Sequence, residues 1–269
     1  LRYPKWIPGE HGPTGPIDKI SKLVISAGKP LAWRRDPVDL YSFTVEVPPG
    51  STEITVDLEL VLPEAGAFSG GATATEALGL LSWNHVLLYP DTRNTDELRY
   101  KPSVRFPRGW KLATALTVAK SAGDRTELGE VSLTTLVDSP VQAGIHQREW
   151  VLADAPRVRL AVVADSEEAL AIPEDVIAGY KRLVAEAGAM FGARHYKSYT
   201  FLLTLSDRVA HFGLEHHESS DDRMQERIFL DDATKNGVGG LLSHEYVHSW
   251  NGKFRRPVDL QPGRFDVPM

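Results

Sequence analysis

The chain contains no cysteine in 269 residues. Disulfides and thiolate metal ligands are therefore excluded, and a bound zinc ion would have to be held by imidazole and carboxylate alone. This absence leaves the compartment open. No apolar run approaches the ~18 residues that a membrane-spanning helix needs. The chain starts at Leu1 without a basic-then-apolar leader, so the expectation is a start after processing or inside a longer protein. Positive charge is scarce as well. Thirty Lys and Arg stand against 36 Asp and Glu, a formal net charge of −6, which speaks against nucleic acid or an anionic membrane as partner. Internal repeats and long low-complexity tracts are also missing. What is present, 42% apolar and 25% charged residues, has the composition of a globular protein with room for one large or two ordinary domains.

Taken in order, the chain changes character once. LRYPKWIPGEHGPTGP is punctuated by proline and glycine and reads as irregular and rigid. KLVIS, YSFTVEV and EITVDLELVL then read as short strands, with Tyr41, Phe43, Val45 and Val47 on one face of the second. Residues 64–75 read as a small-residue loop. HVLLYP at 85–90, PSVRF, ATALTV and VSLTTLV continue the strand pattern. After RVRLAVVAD at 157–165, Pro173 opens a helix in which Val176, Ile177, Tyr180, Leu183, Val184 and Ala187 recur at helical spacing, with Gly188 and Gly192 closing it. SYTFLLTLS at 198–206 is apolar on both faces and so a central strand. Residues 207–227 read as irregular and polar, RIFLDD as a further strand, and the pairs Asp221/Asp222 and Asp231/Asp232 as solvated loop faces. The expected fold is β then α+β: an antiparallel β-sandwich-like domain over 1–156, and a second domain over 157–269.

Within that second domain, LLSHEYVHSWN places His244, Glu245 and His248 in an H-E-x-x-H arrangement. Residues four apart on a helix lie one above the other, so both imidazoles can address one metal ion. Glu245 is close enough to act on a water without being a ligand. Zinc suits such donors, and a position left to water makes a site catalytic. The surrounding Leu241, Leu242, Trp250 and Phe254 fit a short buried helix, and Gly237, Gly239 and Gly240 a flexible lead-in. The bland alternative is two surface histidines on an ordinary helix.

A second stretch, HFGLEHHESS at 211–220, sets Glu215 just after Gly213 and Leu214. A carboxylate at a strand edge near a metal helix suits a substrate's protonated α-amine, which would fix the scissile bond one residue in. Gly213 permits a bend or a close approach. The alternative is a charged surface loop, or an adventitious metal patch of His211, His216 and His217.

Together these motifs resemble the glycyl aminopeptidase-type zinc metallopeptidases. SHEYVHSWNGKFRRP (243–257) is similar to that family's zinc helix and basic turn, and FGLEHHESS (212–220) to its G-L-E-H segment. YPKWIPGEH near the start and LVDSP at 136–140 look like further landmarks. The resemblance implies a β domain, the first half of a thermolysin-like catalytic domain, and usually a PDZ domain beyond. It implies His244 and His248 as zinc ligands, Glu245 as general base and Glu215 as amine anchor. The substrate implied is a peptide with a free N-terminus and a small first residue, Gly or Ala. The family's third ligand is a glutamate in a W-V-x-E-G-like segment that does not occur here. Asp259 and Asp266 are the only carboxylates after His248, and Asp266 alone could stand in by position, in a stretch that reads as a loop. The expectation is an internal portion of a longer enzyme, nearly inactive unless its C-terminal part is supplied. Two other readings are a zinc endopeptidase in which Glu215 is structural, and a non-catalytic β-domain interaction module.

Overall fold

Short alternating runs separated by Pro and Gly turn back on themselves at short range, and the first 145 residues follow that rule. In a computed structural model, which describes residues 1–62, 73–231, 234, 238–257 and 263–268, they form five small sheets of two to four strands. Every pairing in them is antiparallel. Ile20–Ala27 pairs with Thr55–Leu60, while Lys111–Thr114, Val141–Gly144, Leu78–Leu81 and Thr73–Ala74 make the largest of these sheets. The antiparallel expectation holds, with the strands spread over several small sheets.

Two expected strands here are something else. In HVLLYP, His85 ends a 3-10 turn, Trp83–His85, and Tyr89 makes only an isolated bridge to Arg2. In VSLTTLV, Val131–Ser132 is extended, but Leu133–Val137 is a short helix, α1. The Ser132 hydroxyl accepts the Thr135 N–H at 3.1 Å as an N-cap. Leu133, Leu136 and Val137 are buried at a helical interval, which a β-branched, Thr-rich stretch disguises. The loop expected at 64–75 lies mostly outside the described residues, and Thr73–Ala74 at its end is a strand.

From residue 146 onward a single five-stranded sheet takes over. Its strands are β1 His146–Asp154, β2 Arg157–Ala164, β3 Ser198–Leu205, β4 Phe212–Glu215 and β5 Ser219–Met224. They lie in the order β1-β2-β3-β5-β4. β2, β3 and β5 run parallel, and the two outer strands run antiparallel to them. Residue 156 falls in the turn of the β1–β2 hairpin. Helix α2, Glu174–Phe191, makes the crossover from β2 to β3, begun by Pro173 and ended by Gly192 in the left-handed conformation. Gly188 lies inside the helix.

β3 is buried along almost its whole length, as its apolar character on both faces predicts. Tyr199, Phe201 and Leu203 face α2 and helix α3, Val238–His248, in one core with Ile177, Tyr180, Val184, Leu242 and Tyr246. On the other face Leu202 and Ala161 meet Ala113 of the N-terminal sheet. Gln142 and Arg159 tie the two sheets by side-chain bonds of 2.8 Å to Ala161 O and Thr114 O.

Three expectations are corrected around β5. The segment 207–227 is not irregular, since it contains β4 and β5. RIFLDD is a turn over its described residues rather than a strand. Asp221 and Asp222 are buried at 5% and 0% exposure instead of facing solvent. Arg223 clamps Asp221 with bonds of 3.0 and 2.6 Å, and Ser220 donates to Asp222 Oδ2 at 2.6 Å, while Asp222 Oδ1 is buried without a hydrogen-bond partner among the described residues. Burial pushes the Asp222 carboxyl far above the usual carboxylate range. A strand that pairs one charge internally and raises the pKa of the other can be central while looking hydrophilic. Asp231 is exposed, and Asp232 lies outside the described residues.

Candidate active site

α3 runs across β4 and β5 and turns one face into the protein. Leu242 and Tyr246 sit in the core, Glu245 is 5% exposed, and His244 one step round is open. Gly239 and Gly240 lie within the helix rather than ahead of it, and Gly237 lies outside the described residues. Beyond the helix, Trp250 anchors its end by donating from Nε1 to Ala193 O at 2.8 Å and stacking on Phe191. Phe254 is exposed and stacks on His195 at 4.5 Å.

The helical pitch does what the four-residue spacing requires. The Nε2 atoms of His244 and His248 stand 3.1 Å apart, and the ligand atoms of His244, Glu245 and His248 lie within 4.8 Å of one another. His248 Nδ1 is 3.1 Å from the Asn251 carbonyl. That oxygen can only accept, so the Nδ1–H donates and Nε2 keeps its lone pair, the tautomer a metal ligand needs. Two nitrogens bound ~2.0–2.1 Å from one tetrahedral zinc ion would be ~3.3 Å apart, so the observed separation fits such an ion. Among the described residues this is the one His/Asp/Glu group that could hold a metal. Asp266 does not join it. Its carboxylate is taken up by Arg264, at 2.8 Å through Nε, with Arg2 at 3.9 Å, and it cannot stand in as a third ligand. Asp259 lies outside the described residues.

Glu245 is held in a narrow place. A Cβ on Gly213 would come within 2.1 Å of Glu245 Oε1 and 2.7 Å of Leu241, so any larger residue here would have to displace the Glu245 carboxylate from its present position. Burial, and next the negative charge of Glu215, push the Glu245 carboxyl up to about 7, against the pull of His248 and Lys253. Glu215, the last residue of β4, lies two residues beyond Gly213 and so on the same face of the strand, the face that meets Glu245. Behind it, Gly9 has φ +89° and would, with a Cβ, collide with Leu214 and with Glu215 Oε2 at 2.9 Å. Thus the Pro-rich opening of the chain closes against the G-L-E strand.

The histidines flanking Glu215 do not form a metal patch. His216 Nδ1 bonds Asp138 at 3.1 Å, His217 Nε2 meets His195 Nδ1 at 2.9 Å, and His211 Nε2 meets Ser206 O at 2.8 Å. Asp138, which caps the end of α1, also accepts the His217 N–H at 2.8 Å and the Lys253 ammonium at 2.9 Å. Sequence reasoning marks LVDSP as a landmark without seeing this convergence. Nothing local to residue 138 announces partners 78 and 115 positions away.

Residues 1–145 match the Peptidase M61 N-terminal domain, and residues 238–269 the M61 glycyl aminopeptidase domain. The chain belongs to the M61 peptidase family. The boundary of the first match coincides with the start of the five-stranded sheet. Among solved structures, an aminopeptidase N family protein from Idiomarina loihiensis superposes with a TM-score of 0.78 at 20% identity, over 100% of this chain and 46% of that one. Legionella pneumophila aminopeptidase A, in complex with aspartic acid, gives a TM-score of 0.57 at 13% identity, over 86% and 29%. Both likenesses are of fold, and the chain spans less than half the length of either. No curated protein sequence matches. Among the described residues no helix is long and apolar enough to cross a membrane.

Proposed function

We propose that this chain carries the zinc-binding helix and the amine anchor of an M61 aminopeptidase whose catalytic domain is thermolysin-like and which removes small N-terminal residues such as Gly or Ala. The observation that supports this most is the placement of Glu215 on the same face of β4 as Gly213, which packs against Glu245 of the paired-imidazole helix, with Gly9 closing in behind Glu215. His244 and His248 would hold zinc, which when bound polarises a substrate carbonyl and lowers the pKa of a water to about 7. Glu245 takes the proton of the attacking water and passes it to the leaving amine. Glu215 pairs with the α-ammonium and so places the first peptide bond, rather than an internal one, over Glu245.

The test uses the full-length enzyme with an alanyl anilide carrying a free amine and with its N-acetylated counterpart. The free substrate should be cut at least about a hundredfold more efficiently, since an anchored amine is worth several kcal/mol of positioning. Equal cleavage of the two would remove the exopeptidase reading. Glu245→Gln should retain stoichiometric zinc by metal analysis while turnover falls by a factor on the order of 10³, and retained turnover would exclude Glu245 as the base.

A further inference from the structure

β4 is an edge strand, and the residue it presents to the site is its last one. An edge-strand terminus followed by a turn is ordinarily the least constrained part of a sheet. Here that turn is pinned from two directions by one carboxylate. Asp138 Oδ2 accepts the backbone N–H of His217, and Oδ1 accepts from His216 Nδ1 and from Lys253 Nζ. Lys253 belongs to the turn that ends α3: its own N–H bonds His248 O at 3.1 Å, and that turn also supplies the Asn251 carbonyl facing His248 Nδ1. Asp138 itself comes from the N-terminal unit, at the end of α1. The side chains of Lys253 and His216 are 3% and 6% exposed, and that of Asp138 is 14% exposed.

We infer that Asp138 is a positioning residue for substrate selection: it locks the Glu215 strand end to the turn after His248 and so sets the distance between the amine anchor and the metal-binding imidazoles. A group acting only as the cap of α1 would not direct both carboxylate oxygens away from that helix, onto two segments that both lead to the site. The carboxylate stays charged there. Burial alone would push it up, but Lys253 and the His216 bond hold it well below the usual range. This inference rests on the amine-anchor reading of Glu215 and adds that the N-terminal β unit takes part in selecting substrates.

The experiment measures kcat/KM of full-length Asp138→Asn and Glu215→Gln enzymes for the free-amine alanyl anilide and its N-acetylated form. Asn keeps the shape but loses the charge, so the turn can shift by a fraction of an ångström. The free-to-blocked ratio should fall on the order of tenfold in Asp138→Asn, through a raised KM for the free substrate, and on the order of a hundredfold in Glu215→Gln. Zinc content should stay at the wild-type value in both. Fewer folded molecules would lower both substrates together and leave the ratio unchanged. If Glu215→Gln collapses the ratio and Asp138→Asn leaves it intact, Asp138 is merely structural and the inference is overturned. An unchanged ratio in Glu215→Gln overturns the anchor reading itself, and the positioning role with it. Should Asp138→Asn fail to fold, the double variant Asp138→Asn with Lys253→Met removes both buried charges and is read by the same criterion.

Discussion

α3 brings His244 and His248 together through its own pitch, whereas the β4–β5 hairpin that presents Glu215 is shaped from outside. The helix needs nothing distant to make the pair: four residues of α-helix set the 3.1 Å between imidazoles, and the local Asn251 carbonyl orients the second ring. The hairpin depends on Gly9 from the chain's opening, Asp138 from α1 and Lys253 from beyond α3. Its interior strand, β5, survives burial only because Arg223 answers Asp221. A motif made by local geometry tolerates change around it. One made by convergence fails when any contributor moves.

Arg223→Met breaks the hairpin most severely. It leaves Asp221 buried without its cation, and loss of one partner of a buried ion pair costs ~3–5 kcal/mol. Urea unfolding should show a midpoint shift of that size, and a loss below 1 kcal/mol would mean that solvent reaches the pair. Gly213→Ala comes next, because the added methyl group occupies the place of Glu245 Oε1. Hydrolysis by the full-length enzyme should drop about a hundredfold, near 2.7 kcal/mol in barrier. Near-normal activity would show that Glu245 has room to move.

A smaller effect appears on acidification. The Asp138 carboxyl is held below its unfolded value, so its contribution to stability is complete above ~3.9 and is lost as the pH falls through the folded value. The unfolding midpoint should therefore decline below about pH 4 with a steeper slope in wild type than in Asp138→Asn. Equal slopes would detach Asp138 from the acid limb. A Gly→Ala change made in the helix, rather than at Gly213, sharpens the contrast from the other side. Gly240→Ala meets nothing within 4 Å and replaces a poor helix former, so it should stabilise by ~0.5–1 kcal/mol in a thermal melt.

These contrasts match what reading the residues could and could not find. The β3 strand, α2 with its Pro and Gly boundaries, and the antiparallel N-terminal strands were legible because each rests on a period of two or 3.6 within a short window. α1 was not, because Thr-Thr in a β-branched run hides a capped turn. β5 was not either: SSDDRM carries no apolar signal, and its burial follows from Arg223 pairing with Asp221 and from the low-dielectric surroundings that raise the Asp222 carboxyl. Gly213 was legible as a point of close approach, but the group approached, Glu245, lies 32 positions away and came only from the fold.

By itself the sequence determined the paired imidazoles, the adjoining carboxylate and the strand–helix–strand frame beneath them, because all of these are set by backbone periodicity and nearest neighbours. Only the tertiary structure decided that Glu215 shares a space with Glu245, that Asp221 and Asp222 are interior, that Asp266 is taken up by arginine, and that Asp138 joins the two units. Each of those outcomes depends on which charge finds which partner once water is excluded, and that is a property of the packed chain rather than of any segment within it.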